Sequence, residues 1–333
     1  MRTDLGFKRI ATEEAFLTKS IGKAYRDLLA SGASDDIGFN SLVGYYQRNP
    51  SERTRAVAER LEDLGARRLA DMDATGIAMQ ILSLTAPGVQ IFDADSGVGL
   101  ARDANDELAA AIAPQNPQAA AKELERAVTK LGLKGAIVNS HTHGEYLDDE
   151  KFWDILAAAE SLDVPIYIHP QTPPNAMIKP FLDRGLDGAV FGFAVETGLH
   201  ALRLVVSGAF DRFPRLRVVL GHLGEGLPYW LFRIDFMHGG SVRSNRYGAA
   251  QPKLERKVSE YLKERFWYTT SGMAWTPPIR YVQEVMGMNR VLYAQDYPYQ
   301  FVPEEVNVTD ELRLSYEDHK AFYQTNAERV FKL

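Results

Sequence analysis

Three residues of metal-ligating type stand at the ends of short apolar runs that lie far apart in the chain. Glu13 follows the run 9–12, His169 follows 165–168, and Asp296 follows 291–295. If the runs are parallel strands of one barrel, their carboxyl ends meet at a single mouth, where barrels of this kind carry their chemistry. Two carboxylates and an imidazole gathered there describe a divalent metal site held by oxygen and nitrogen. The chain has no cysteine, so neither a thiolate site nor a disulfide is open to it.

Three further features could handle protons or anions. His222 sits in the turn Gly221-His222-Leu223-Gly224-Glu225-Gly226, directly after the run 217–220. Glycines there allow close approach of backbone or ligand, and Glu225 could orient the imidazole, which makes His222 a candidate proton handler. The turn lacks the lysine of a phosphate-binding loop. Among the arginines, Arg233, Arg243 and Arg246 could grip a carboxylate, because a planar guanidinium binds it with two hydrogen bonds. Arg233 stands out, since it follows Tyr229, Trp230 and Phe232 just behind the histidine turn. His141 and His143 would face the same mouth, whereas His200, His238 and His319 read as structural. On one strand neighbouring side chains point oppositely, so only one of Glu13 and Glu14 can enter the mouth.

The elements that must position these residues follow an α/β alternation. Strand candidates are 8–13, 77–83, 135–140, 165–169, 217–222, 267–271 and 291–295. Their apolar runs lack polar alternation, as expected of parallel strands covered on both faces. Helical spacing appears at 51–72, with Ser51 able to cap it, and at 118–131, 149–161, 197–209, 252–264 and 279–286. The segments 170–190 and 236–252 read as long loops beyond strand ends. A closed eight-stranded barrel needs one strand more, and the place for it is near 108–117. Either 111–113 is its stub, the barrel is irregular, or a segment is missing.

A chain of 333 residues, 45% hydrophobic and 25% charged, can bury a large core, and residues 1–333 read as a single barrel domain. A formal charge of -6 leaves no basic excess for nucleic acid or an anionic membrane. A small molecule is the expected partner. The start lacks an apolar signal core and no run approaches membrane-span length, so the chain reads as cytoplasmic.

At these residues the chain resembles the amidohydrolase superfamily, in its branch of metal-dependent aromatic acid decarboxylases. The resemblance is carried by 11–16, 70–76, 168–170, 191–198, 221–225, 296–300 and 325–328. It implies a distorted (β/α)8 barrel and non-oxidative loss of CO2 from a hydroxylated aromatic acid. The substrate it points to is 5-carboxyvanillate, with γ-resorcylate decarboxylation or lactone hydrolysis as alternatives. Residue by residue it implies Glu13, His169 and Asp296 as metal ligands and His222 as an active-site imidazole, with Arg53, Arg233 and Tyr299 as substrate contacts. Asp296 is also expected to be the proton donor, with His222 and Glu225 setting its protonation. The His-x-His pair that hydrolytic members usually carry on the first strand is replaced by Glu13-Glu14-Ala15. One ion is therefore implied, manganese ahead of zinc because the donors are mostly oxygen. A homodimer or homotetramer is implied as well. The family also has a strand with a Pro-x-Arg-Phe-x-Gly pattern just before the segment that begins here at Ala113, and this chain lacks it.

Overall fold

The computed structural model describes residues 5–49, 51–107 and 117–333. Within them all seven expected runs are strands: β1 (Ile10–Phe16), β2 (Met79–Leu84), β3 (Ala136–Asn139), β4 (Ile166–His169), β5 (Val218–Leu220), β6 (Phe266–Thr269) and β7 (Val291–Leu292). Every pairing is parallel, with β1 beside β2 and the others in the order β3-β4-β5-β6-β7. Beyond the end of β7 the chain continues alongside β1. The Thr12 N–H donates to the Tyr293 carbonyl at 3.1 Å and the Ala15 N–H to that of Tyr297 at 2.6 Å, and Glu14 and Tyr297 form a parallel bridge. The strands thus curl from β2 through β1 and β7 round to β3.

Among the described residues the curl stays open between β2 and β3, which border a cleft of about 230 Å³ lined by Met79, Ile81, Leu133 and Ile137. The segment near 108–117, where a shortened or missing eighth strand is expected, lies outside the described residues up to Pro117, the first residue of the helix Pro117–Leu131. Among the described residues the fold is a distorted, open barrel.

Strand periodicity sorts the core into two layers. Ile166, Ile168, Val218 and Leu220 pack outward with helical residues such as Ile155, Leu156 and Leu204. The alternate positions, Tyr167, Val219, Trp267 and Leu292, pack with Ile10, Phe16 and Ile137 in a second cluster, the barrel interior. Side chains two residues apart on a strand share a face, so His169 and Thr269 carry this inner face onward to the mouth.

Three sequence expectations change in detail. The helix expected over 51–72 is two, Glu52–Glu62 and Ala66–Thr75. Asp63 Oδ1 accepts the Gly65 N–H at 2.8 Å, a local side-chain bond that competes with helix continuation. Ser51 does cap the first of them, its Oγ accepting the Thr54 N–H at 3.2 Å. The segment 170–190 holds the helix Asn175–Leu182, and much of 236–252 is the end of the helix Leu227–Arg243. Helix propensity was masked there by proline and glycine, which the packed structure tolerates. Among the described residues no helix is long and apolar enough to cross a membrane.

Candidate metal centre at the strand ends

Glu13 is 3% exposed and its two oxygens have different surroundings. Oε2 accepts hydrogen bonds from the hydroxyls of Tyr167 on β4, Thr269 on β6 (2.7 Å) and Ser271 beyond β6. Oε1 has no hydrogen-bond donor. It lies 3.5 Å from His169 Nε2 and 3.8 Å from His222 Nε2. His169 Nδ1 is 2.8 Å from the Pro170 carbonyl, which can only accept, so Nδ1 carries the proton and the neutral ring turns its Nε2 lone pair toward Glu13. Two lone pairs facing each other in a buried place repel unless a cation lies between them. Glu13, His222 and Asp296 each bring one donor atom within 4.8 Å of the others, and His169 joins them through Glu13. Buried oxygens and imidazoles with an orphaned carboxylate oxygen fit a divalent cation.

Local geometry makes room for this arrangement. A Cβ at Gly221 would meet Glu13 Oε2 at 3.1 Å, and one at Gly272 would meet the His222 ring at 3.3 Å and Asp296 Oδ2 at 3.6 Å. The turn after β5 is a run of left-handed backbone: His222 (φ 51), Leu223 (φ 56) and Glu225 (φ 54), with Gly224 and Gly226 also positive. Non-glycine residues in this region cost on the order of 1 kcal/mol or more each, and such strain gathers at functional sites. It turns Glu225 back on the imidazole, with Nδ1 and Oε1 2.7 Å apart. Gly224 (φ 85) has no alternative, because a Cβ there would sit 2.8 Å from the Tyr268 ring.

The ionisation of the site follows from burial and mutual charge. Burial opposes charge on His222, yet the carboxylates of Glu225 and Glu13 raise its pKa to about 10. Burial raises Asp296 to about 7 against the pull of His222. On Glu13 burial acts upward, but the imidazoles of His222 and His169 outweigh it and hold the group below the ordinary carboxylate range. Burial lowers His169, which favours the neutral, lone-pair form.

Of the expected substrate contacts, Arg53 and Tyr299 come together. The Arg53 guanidinium donates to the Tyr299 carbonyl at 3.3 Å, and the Tyr299 ring meets Tyr46 edge-on with its hydroxyl bonded to Thr85. Arg233 lies exposed on the helix Leu227–Arg243, without a hydrogen bond or ion pair among the described residues. His141 is a loop brace, its ring bonded to the Thr172 carbonyl and the Gly144 N–H. His200 is buried between Ser140 and the Leu147 N–H. Sequence reasoning missed Tyr167, Thr269 and Ser271. The inward parity of β4 and β6 was the signal that could have found the first two.

A parallel barrel whose mouth gathers carboxylates and imidazoles around an unpartnered buried oxygen is the architecture of a metal-dependent α/β-barrel enzyme. The chain belongs to the amidohydrolase family, whose model matches residues 67–333. The strand bearing Glu13 lies ahead of that match, and the structural comparisons cover it. The fold matches 5-carboxyvanillate decarboxylase from Novosphingobium aromaticivorans, solved with manganese and 4-hydroxy-3-methoxy-5-nitrobenzoic acid. That match has a TM-score of 0.97 at 48% identity and covers 100% of this chain and 98% of the other. The 5-carboxyvanillate decarboxylase of Sphingomonas paucimobilis matches at a TM-score of 0.91 and 38% identity, over 98% of this chain and 99% of that one. A γ-resorcylate decarboxylase from Polaromonas is 35% identical over 305 residues, covering 85% of this chain and 92% of that protein.

Proposed function

We propose that this chain is a manganese-dependent, non-oxidative decarboxylase of hydroxylated aromatic acids, converting 5-carboxyvanillate to vanillate and CO2. The end-to-end likeness to 5-carboxyvanillate decarboxylase, at 48% identity, carries this reading. Curated γ-resorcylate decarboxylases at 35–37% identity supply the alternative substrate.

Glu13, His169 and Asp296 would hold the ion, with His222 beside them. When bound, the ion supplies Lewis acidity toward the phenolic oxygen and the adjoining carboxylate of the substrate. Direct loss of CO2 would leave an in-plane aryl carbanion that the ring cannot stabilise, so protonation comes first. In the metal-free site burial brings Asp296 to about 7, so its carboxyl exchanges a proton near neutral pH: ionised it would ligate the ion, and the proton it takes up once substrate is in place is the one delivered to the ring carbon bearing the carboxylate. The bond from that carbon to the carboxylate then breaks, its electron pair restores the aromatic ring, and CO2 leaves. The Asp296 carboxylate that remains must be reprotonated for the next turnover. The charged pair of His222 and Glu225 sets how readily Asp296 holds its proton. Arg53 and Tyr299 are assigned to the distal carboxylate and ring.

Arg233 is assigned to the substrate as well, and that role requires its exposed face to be covered. On the same helix Tyr229 is 74%, Phe232 84% and Phe236 66% exposed, an apolar stripe unusual for a free surface. We read it as an interface in a homodimer or homotetramer. Sedimentation that returns the mass of one chain would overturn the assembly. The negative net charge leaves no basic excess for nucleic acid or an anionic membrane, and the absence of cysteine suits a cytoplasmic setting.

Incubation with manganese and either 5-carboxyvanillate or γ-resorcylate tests the activity. The expected result is CO2 release, faster from the former, and turnover of neither acid rejects the assignment.

A further inference from the structure

Glu14 has no part in the mechanism above and is fully buried. Its carboxyl spans two main-chain donors on another strand's extension: Oε1 accepts the Gln295 N–H at 3.0 Å and Oε2 the Tyr297 N–H at 3.3 Å. The residue between those two donors is Asp296. Asp296 adopts φ 67, a left-handed conformation that a side chain with a Cβ disfavours and surrounding structure must hold. Its carbonyl is engaged by the Gln300 N–H at 2.9 Å. The pairing of β1 with β2 shifts register between Ala11 and Glu14, so one extra residue lies on β1 there. With that shift two adjacent glutamates take separate tasks: Glu13 turns to the metal-ligand cluster and Glu14 to the backbone that carries Asp296. Glu14 is therefore outside the mouth, as strand alternation requires, but it is not a solvated surface acid.

We propose that Glu14 is a positioning residue, a two-point clamp that holds the backbone on either side of Asp296 so that its carboxylate reaches the metal. The inference rests on reading Asp296 as a ligand. Metal-ligand supports of this kind typically account for 10- to 100-fold in affinity or activity.

The test measures Mn2+ binding to the purified metal-free protein, by titration calorimetry and by the electron paramagnetic resonance spectrum of the bound ion. The variants are Glu14→Ala, Glu14→Gln and, as control, Asp296→Ala. E14A should weaken Mn2+ binding by about 10- to 100-fold and change the spectrum. E14Q keeps one acceptor and should fall between E14A and the parent, with metal-free melting within a few degrees of the parent. If E14A does not fold, E14Q decides. An E14Q protein that binds Mn2+ with the parent's affinity and spectrum overturns the clamp, as does one that fails to fold, since Glu14 would then serve the fold and not Asp296. If D296A leaves Mn2+ binding unchanged, the ligand reading itself fails and the clamp with it; a D296A loss without an E14A loss rejects the clamp alone.

Discussion

With saturating Mn2+, Asp296→Asn should lower kcat by about 100- to 10,000-fold, the range a positioned general acid contributes, while an aromatic acid inhibitor still binds with little change. Asn keeps a neutral oxygen at the same place but has no transferable proton. The proton that the Asp296 carboxyl takes up and passes to the ring is what the exchange removes. Stopped-flow decarboxylation and inhibitor titration separate the two effects. An Asn variant turning over at a rate near that of the parent would return the proton to another group, with His222, within 4.8 Å of Asp296 and raised to about 10, the candidate.

The second large effect concerns the ion. Glu13→Gln should weaken Mn2+ binding by more than about 100-fold, beyond the usual cost of losing a supporting residue, because it neutralises the buried oxygen that lies 3.5 Å from His169 and 3.8 Å from His222. The pH dependence of binding in the unaltered protein has a definite sign. Metal and proton compete for the same lone pairs, so a group whose pKa is raised must release its proton before it can ligate. With Asp296 at about 7, affinity should fall by roughly tenfold per pH unit as pH drops below 7. His169 is lowered and adds nothing above its own titration. His222, at about 10, offers a further reading. If its Nε2 also binds the ion, affinity keeps rising with pH between 7 and 10. A plateau above pH 7 would instead leave His222 protonated beside the ion, in the proton-handling role. Calorimetry in buffers of different ionisation enthalpy counts the protons released.

Much of this centre was legible because strand geometry is periodic. A histidine or carboxylate at the end of an apolar run is expected at the carboxyl edge of a parallel sheet, and His169 ends β4 while His222 and Asp296 follow β5 and β7; Glu13 differs, since β1 runs on past the expected 8–13 to Phe16, and it reaches the same mouth from mid-strand. The glycines around His222 signalled its turn, and the positive φ values there bear that out. What stayed hidden was each residue that acts through a partner distant in sequence. Tyr167 and Thr269 look like ordinary strand residues until β4 and β6 bring their hydroxyls to one oxygen of Glu13. Arg233 could be picked out by its spacing behind the turn, but that its helix leaves it on an exposed face of this chain could not.

The sequence by itself determined which residue types stand at strand ends, and therefore the chemistry they share, since side-chain direction alternates along any strand regardless of what surrounds it. Only the tertiary structure decided how Glu13 divides its two oxygens, three hydroxyls on one and imidazoles near the other, and where Glu14 goes. Those outcomes depend on register between strands, and one extra residue between Ala11 and Glu14 changes which partner each glutamate meets. Burial likewise belongs to the assembled barrel: it raises Asp296 to about 7, where a carboxyl can hold and give a proton at neutral pH.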